Sequence, residues 1–198
     1  MFSGIIESLG RVEKIIPKHG NLNIWISCSF IDDIYIDQSI AHDGCCLTVD
    51  ALESGCYRVT AIAETLDKTN LKSWYSGYIV NLERSIRAGG RMDGHFMQGH
   101  VDTCGSCIKI DEKNGSWEVW FSCSKGFESL IVSKGSIAIN GVSLTLVDLR
   151  DTEFSVHIIP YTFHHSNFQN LKIGDKVNIE FDIIGKYVTR WMSLRAKS

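Results

Sequence analysis

The segment GHFMQGHVD, residues 94–102, carries His95 and His100 five positions apart, each preceded by a glycine. Two imidazoles so placed put titratable bases beside backbone that a flat ligand can approach closely. Two further residues have nucleophile chemistry: Cys46 in SIAHDGCCLTV and Ser143 in SIAINGVSLTL, each two residues beyond a glycine. A base near a thiol or hydroxyl allows proton transfer or covalent addition. A competing chemistry is written in the same stretch, because His95, His100, Cys104 and Cys107 spell H-x4-H-x3-C-x2-C, a ligand set tetrahedral zinc accepts. Against zinc, residues 101–110 read as a strand, and a redox role for the C-x2-C lacks the helix that depresses a thiol pKa. Gly105-Ser106 can still supply the turn a metal site needs, so on the residues alone the zinc reading stays open as the lesser one. Singly, each of these side chains is also the kind that packs as a small buried group or a satisfied structural histidine.

The elements that must position them occur twice. Sliding the chain along itself by 97 positions aligns residues 39–85 with 136–182 without a gap, and 15 of the 47 pairs are identical, where chance gives about three. The shared residues include Gly44/Gly141, Thr48/Thr145, Thr65/Thr162, Asn70/Asn167, Asn81/Asn178 and Glu83/Glu180. Toward the N-terminus the offset slips to 95, pairing MFSGIIE with FMQGHVD. Segments such as NIWISCSF, YRVTAIA, YIVNLE, EVWFSCS, FSVHII and KVNIEF are short and rich in β-branched and aromatic residues. FIDDIYI and KGFESLIV have room for a short helix each. Half a dozen strands in about 90 residues close most economically into a small Greek-key barrel. The expected fold is all-β: two tandem homologous six-stranded Greek-key barrels, residues 1–90 and 91–184, then a helix over 185–198, where Tyr187, Trp191 and Leu194 have helical spacing. The Asp43-Gly44 and Asn140-Gly141 pairs predict tight hairpin turns.

Bulk properties narrow the partners. A formal charge of -3 with 20 dispersed lysines and arginines gives no polycationic footprint for nucleic acid. No run reaches the roughly 18 apolar residues of a membrane span, and the start lacks a secretory pattern, so the cytoplasm is expected. Seven cysteines, an odd number with an adjacent pair, suit reduced thiols.

Taken together, MFSGIIE, the paired GCCLTV and NGVSLTL, GHFMQGHVD, VHIIPYT and VNIEFD resemble riboflavin synthase, from Met1 to about Asp182 and in register. The resemblance implies a cofactor-free dismutation. Two molecules of 6,7-dimethyl-8-ribityllumazine exchange a four-carbon unit, giving riboflavin and 5-amino-6-ribitylaminouracil. It also implies a homotrimer held partly by the C-terminal helix, and sites shared between the N-terminal barrel of one subunit and the C-terminal barrel of the next. Association with a lumazine synthase shell belongs to the same set of expectations. The alternative within the fold is a non-catalytic lumazine- or flavin-binding protein, which typically has lost the histidine segment and part of the Cys/Ser pair.

The resemblance further implies roles by matching motif. His100 is the first proton-transfer residue with His95 supporting, Ser143 and Cys46 lie near the reacting carbons, and Asp182 matches an acidic position near the site. Ser39, Thr48, Thr145, Thr65 and Thr162 are hydrogen-bonding groups, flanked by Leu47 and Leu144, and Lys134 contacts ligand in the second barrel. Backbone around Gly4, Ile5 and Ile6, and around Gly99, His100 and Val101, lines the pockets. So does the backbone of Thr60, Ala61, Ile62, Ala63, Glu64 and Thr65, matched in the second half by His157, Ile158, Ile159, Pro160, Tyr161 and Thr162. Asn140 stands where some relatives carry an acidic residue and Tyr161 where many carry Glu, so both are left out of the catalytic set.

Overall fold

The computed structural model describes residues 1–196; Lys197 and Ser198, the end of the expected helix, lie outside the described residues. Alternation of buried and exposed side chains builds the first barrel from β1 (Ser8–Lys18), β2 (Asn21–Ser27), β3 (Ser39–His42), β4 (Cys45–Glu53), β5 (Cys56–Ala61) and β6 (Ile79–Arg84), with α1 (Ala63–Lys68) between β5 and β6. The second repeats it with β7 (Thr103–Lys113), β8 (Ser116–Ser122), β9 (Ser136–Ile139), β10 (Val142–Arg150), β11 (Glu153–Ile158), α2 (Pro160–His164) and β12 (Lys176–Phe181). Both sheets close, in the cyclic orders β1-β2-β5-β4-β3-β6 and β7-β8-β11-β10-β9-β12, so neither leaves a free edge. The register shifts between Val12 and Lys14, and between Cys107 and Lys109; such bulges bend long strands around a narrow barrel.

Several expectations change in detail. FIDDIYI and KGFESLIV each hold a short helix, of the tight 3-10 type and a single turn long, Ile31–Asp33 and Glu128–Leu130. The helices α1 and α2 were not anticipated, because each is barely more than a turn and shows no apolar period. Pro160 stands in the first turn of α2, where its missing N–H costs nothing. The tail helix α3 (Ile183–Arg195) starts earlier than its apolar spacing implies, because the Asp182 carboxylate caps it by accepting from the Ile184 N–H at 2.9 Å.

Each barrel has its own core: Val12, Ile24, Ile26, Val59, Val80 and Leu82 in the first, Val119, Phe121, Leu146, Val156, Ile179 and Phe181 in the second. Full burial of such a side chain contributes about 1.5–3 kcal/mol. The first core also encloses a polar pair: His42 Nε2 accepts from the Tyr57 hydroxyl at 2.8 Å while Nδ1–H donates to the Ile40 carbonyl at 2.9 Å. The equivalent positions in the second barrel are Ile139 and Phe154, both fully buried.

The barrels meet across an approximate two-fold axis, and the repeated turns lie on it. Asp43-Gly44 and Asn140-Gly141 all have positive φ, as a type I′ hairpin requires. A Cβ on Gly44 would fall 2.8 Å from the Gly141 nitrogen, and one on Gly141 2.6 Å from the Gly44 nitrogen. The glycines are thus shared because each turn packs on its own copy. Asparagines stitch the seam reciprocally: Asn81 Nδ2 donates to the Asn140 carbonyl and Asn178 Nδ2 to the Asp43 carbonyl, both at 2.9 Å. The Asn167 and Asn70 amides donate to the side-chain oxygens of Asn81 and Asn178, both at 2.7 Å. The small seam core is Phe2, Ala41, Met97 and Ala138.

Candidate active site

The candidate residues Cys46 and Ser143 sit on the outer face of two equivalent hairpins. In β3–β4, Ala41 pairs with Cys46 and Ser39 with Thr48; in β9–β10, Ala138 pairs with Ser143 and Ser136 with Thr145. Strand alternation turns Leu47 and Leu144 into the cores, and Cys46, Thr48, Ser143 and Thr145 outward.

The short segments that lead into each barrel cross over to the other one. The Gly4 carbonyl accepts from the Ser143 N–H at 2.9 Å, and the Gly99 carbonyl from the Cys46 N–H at 2.8 Å. Ile6 packs against the second core and Val101 against the first. Gly4 and Gly99 have φ of 82° and 79°, and a Cβ on either would fall 2.6 Å from the Cβ of Ser143 or Cys46 respectively. Only glycine allows the backbone this close.

Each crossing segment is held by a buried carboxylate that sequence reasoning did not assign. Glu83 accepts from the Ser3 N–H, the Ser3 hydroxyl and the Gly4 N–H at 2.6, 2.7 and 2.9 Å. Glu180 accepts from the Gln98, Gly99 and His100 amides at 2.6, 2.9 and 3.0 Å. Burial pushes both carboxyls up while the donors pull them down. The signal was present, since Glu83 and Glu180 are an identical pair on the strand faces opposite the core residues Leu82 and Ile179.

The histidines separate between the two hairpins. His95 Nδ1 lies 2.7 Å from the Ser143 hydroxyl, and its N–H donates to the Ser3 carbonyl at 3.1 Å. Its Nε2 is buried without a hydrogen-bond partner. Burial lowers its pKa, opposed by the charge of Asp182, so the ring is neutral and fit to take a proton. His100 is exposed beside Gly99, on the Cys46 side. Burial pushes the half-buried Cys46 thiol up, with Ser39 hydrogen bonding opposing it, so it stands as a neutral thiol. Among the described residues no imidazole is bonded to it.

The remaining expected residues are distributed around these centres. Thr60 directs its hydroxyl at Asn23 and Asp50, and Ala61 and Ile158 are fully buried in the cores, so all three can offer only backbone. Ile62 and Ile159 precede α1 and α2 and are exposed, as are Ile5 and Tyr161. Ala63, Glu64 and Thr65 lie on α1, and Pro160, Tyr161 and Thr162 on α2. His157 Nε2 lies 3.8 Å from Glu118, and Lys134 is exposed with positive φ. Asp182 caps α3. Among the described residues no three His, Cys, Asp or Glu side chains converge as metal ligands. Cys107 is buried in the second core and Cys104 faces Lys68 and Asn178, so the zinc alternative has no geometry.

A duplicated barrel with crossed glycine segments and one unlike nucleophile per hairpin defines a class. The lumazine binding domain profile matches residues 3–85 and again 98–182. Riboflavin synthase of Bacillus subtilis is 37% identical over 97% of this chain and 90% of its own length. That of Actinobacillus pleuropneumoniae gives the same three values, and that of Brucella abortus is 35% identical over 96% and 97%. The chain belongs to the riboflavin synthase family. LumP complexed with riboflavin superimposes with a TM-score of 0.85 at 23% identity, covering 91% of this chain and 99% of that one, a likeness of fold.

Proposed function

We propose that the protein is a riboflavin synthase, converting two molecules of 6,7-dimethyl-8-ribityllumazine into riboflavin and 5-amino-6-ribitylaminouracil. The full-length likeness to riboflavin synthases supports the reaction, and the observation that carries it to a mechanism is the His95–Ser143 hydrogen bond opposite an imidazole-free Cys46. Two identical substrates need two like pockets that treat them differently. One ring loses a proton from its acidic C7 methyl and becomes the nucleophile; the other accepts attack and donates four carbons. The neutral His95 serves as base through Ser143, Cys46 and exposed His100 attend the second ring, and the Gly4 and Gly99 backbones lie flat against the ligands. Holding the rings stacked supplies several of the roughly 7–11 kcal/mol available from proximity.

The hairpin faces are open, and α3 exposes Tyr187, Val188, Trp191 and Met192. Both features support a homotrimer in which these surfaces are covered and each working site joins the first barrel of one chain to the second barrel of another. Seven free cysteines support the cytoplasm, and among the described residues no helix is long and apolar enough to cross a membrane. Association with a lumazine synthase shell rests on the resemblance, and co-sedimentation of the purified proteins tests it. Incubation with the lumazine tests the reaction: riboflavin appears at half the rate of lumazine loss. A stable complex without product would make this a carrier instead.

A further inference from the structure

A cleft of about 750 Å³ straddles the inter-barrel seam, away from the hairpin faces. Its walls are repeat-equivalent residues in pairs: Ser73 with Asn170, Tyr75 with Lys172, Gly77 with Gly174, Tyr78 with Asp175, Ile79 with Lys176. None of them belongs to the candidate active site. The backbone is duplicated here but the chemistry is not. The first barrel supplies an aromatic wall: Tyr75 is 64% exposed and touches Tyr78 edge-on at 5.9 Å, and Tyr78 is stacked on Trp74 at 5.1 Å. One ring of the three, Tyr75, therefore has its face free.

The second barrel supplies a cationic wall, Lys172 and Lys176. Asp175, the one carboxylate between them, accepts from the Lys172 backbone N–H at 2.8 Å. Lys176 donates to the Ser106 hydroxyl at 2.9 Å, and the Lys172 ammonium has no ion-pair partner among the described residues. At the floor stands Asn140, 2% exposed. Its Oδ1 accepts from the Asn178 N–H at 2.8 Å, which leaves its Nδ2 as a donor with no acceptor among the described residues. The other floor groups are committed, since the Tyr78 hydroxyl and the Asn167 amide both donate to Asp43. A free aromatic face, an unpaired amide donor that keeps solvent access at the cleft floor and an uncompensated cation, within a volume typical of small-molecule sites, specify complementary ligand groups.

We infer that this cleft is a second binding site, for a heteroaromatic ring bearing a phosphate, of mononucleotide size. The ring lies on Tyr75, a ring acceptor meets Asn140 Nδ2, and the phosphate lies by Lys172 and Lys176. The probe is adenosine 5′-monophosphate, titrated calorimetrically into the full chain saturated with riboflavin, so that flavin-competent sites are filled. One saturable site per chain is expected. Its affinity falls about tenfold, or 1.4 kcal/mol, in Lys172→Glu, in Tyr75→Ala, and when adenosine replaces the nucleotide. Both side chains are exposed, so thermal midpoints stay at the wild-type value and report folding independently. Absence of saturable binding at millimolar nucleotide, binding that survives both substitutions, or equal affinity for adenosine would each overturn the inference. Failure of riboflavin to bind would count against the active-site reading alone, because the nucleotide titration is then run on the free chain.

Discussion

Cys46 and Ser143 occupy one position on two copies of the same hairpin, each under a glycine carbonyl delivered by the other barrel. The backbones agree; the surroundings do not. Ser143 has an imidazole 2.7 Å from its hydroxyl, whereas among the described residues no imidazole is bonded to Cys46. Duplication thus conserves how a ligand is approached, and divergence at the margins of the repeat decides what is done to it.

The largest test of that contrast is catalytic. His95→Gln should lower riboflavin formation by about 10²-fold or more while lumazine binding, followed by fluorescence, changes little. Cys46→Ser, which leaves a polar hydrogen-bonding group, should cost about tenfold or less, and equal losses from the two would remove the division of labour. Adding Ser143→Ala to His95→Gln should cost little beyond the single change, since the two act as one unit.

The next test uses pH. Burial pushes His42 down to about 4. The fold takes up that proton less readily than the unfolded chain, so the neutral ring's contribution is whole above the unfolded value of 6.5 and is lost as pH falls toward 4, by roughly 3 kcal/mol. Burial raises Asp43 to about 7 against the hydrogen bonds it accepts. Its protonated form suits the fold, so its contribution is whole below pH about 4 and falls by roughly 4 kcal/mol as pH rises to 7. The two slopes oppose each other. Asp43→Asn, which copies Asn140, should therefore uncover a stability loss of about 3 kcal/mol between pH 7 and 4 in urea denaturation. A profile as flat as the wild type would show that His42 is not the source.

Smaller effects follow at the anchors and the core. Glu180→Gln swaps an acceptor for a donor facing three amides and should cost about 2 kcal/mol, with Glu83→Gln giving a similar loss; a change within 0.5 kcal/mol for either would mean the segment is held otherwise. Tyr57→Phe alone strands His42 Nε2 and should cost about 1–2 kcal/mol. Adding His42→Ile, as in the second barrel, should recover part of it in a double-mutant cycle.

Much of this was legible in the chain. The repeat, the closed barrels and the turns follow from spacing and strand-type residues, and the slip from 97 to 95 falls where the link between β2 and β3 is two residues shorter than that between β8 and β9. What spacing does not carry is which copy a segment packs against. Gly4 and Gly99 read as pocket-lining backbone, yet they also mark crossings; Asn81 and Asn178 read as shared fold residues, yet they bind the seam. The His95–Ser143 bond spans 48 residues with no local periodicity to announce it. His100, ranked first by motif, is the exposed histidine of the two.

The crossed leading segments also govern how the chain acquires its shape. The first barrel is not complete until Val101 arrives to pack on its core, and Val101 lies beyond the joint, in the second repeat. The second in turn waits for Ile6. Each core thus borrows a side chain from the other half, and the expected consequence is coupled unfolding of the two barrels, read as a single transition in urea denaturation.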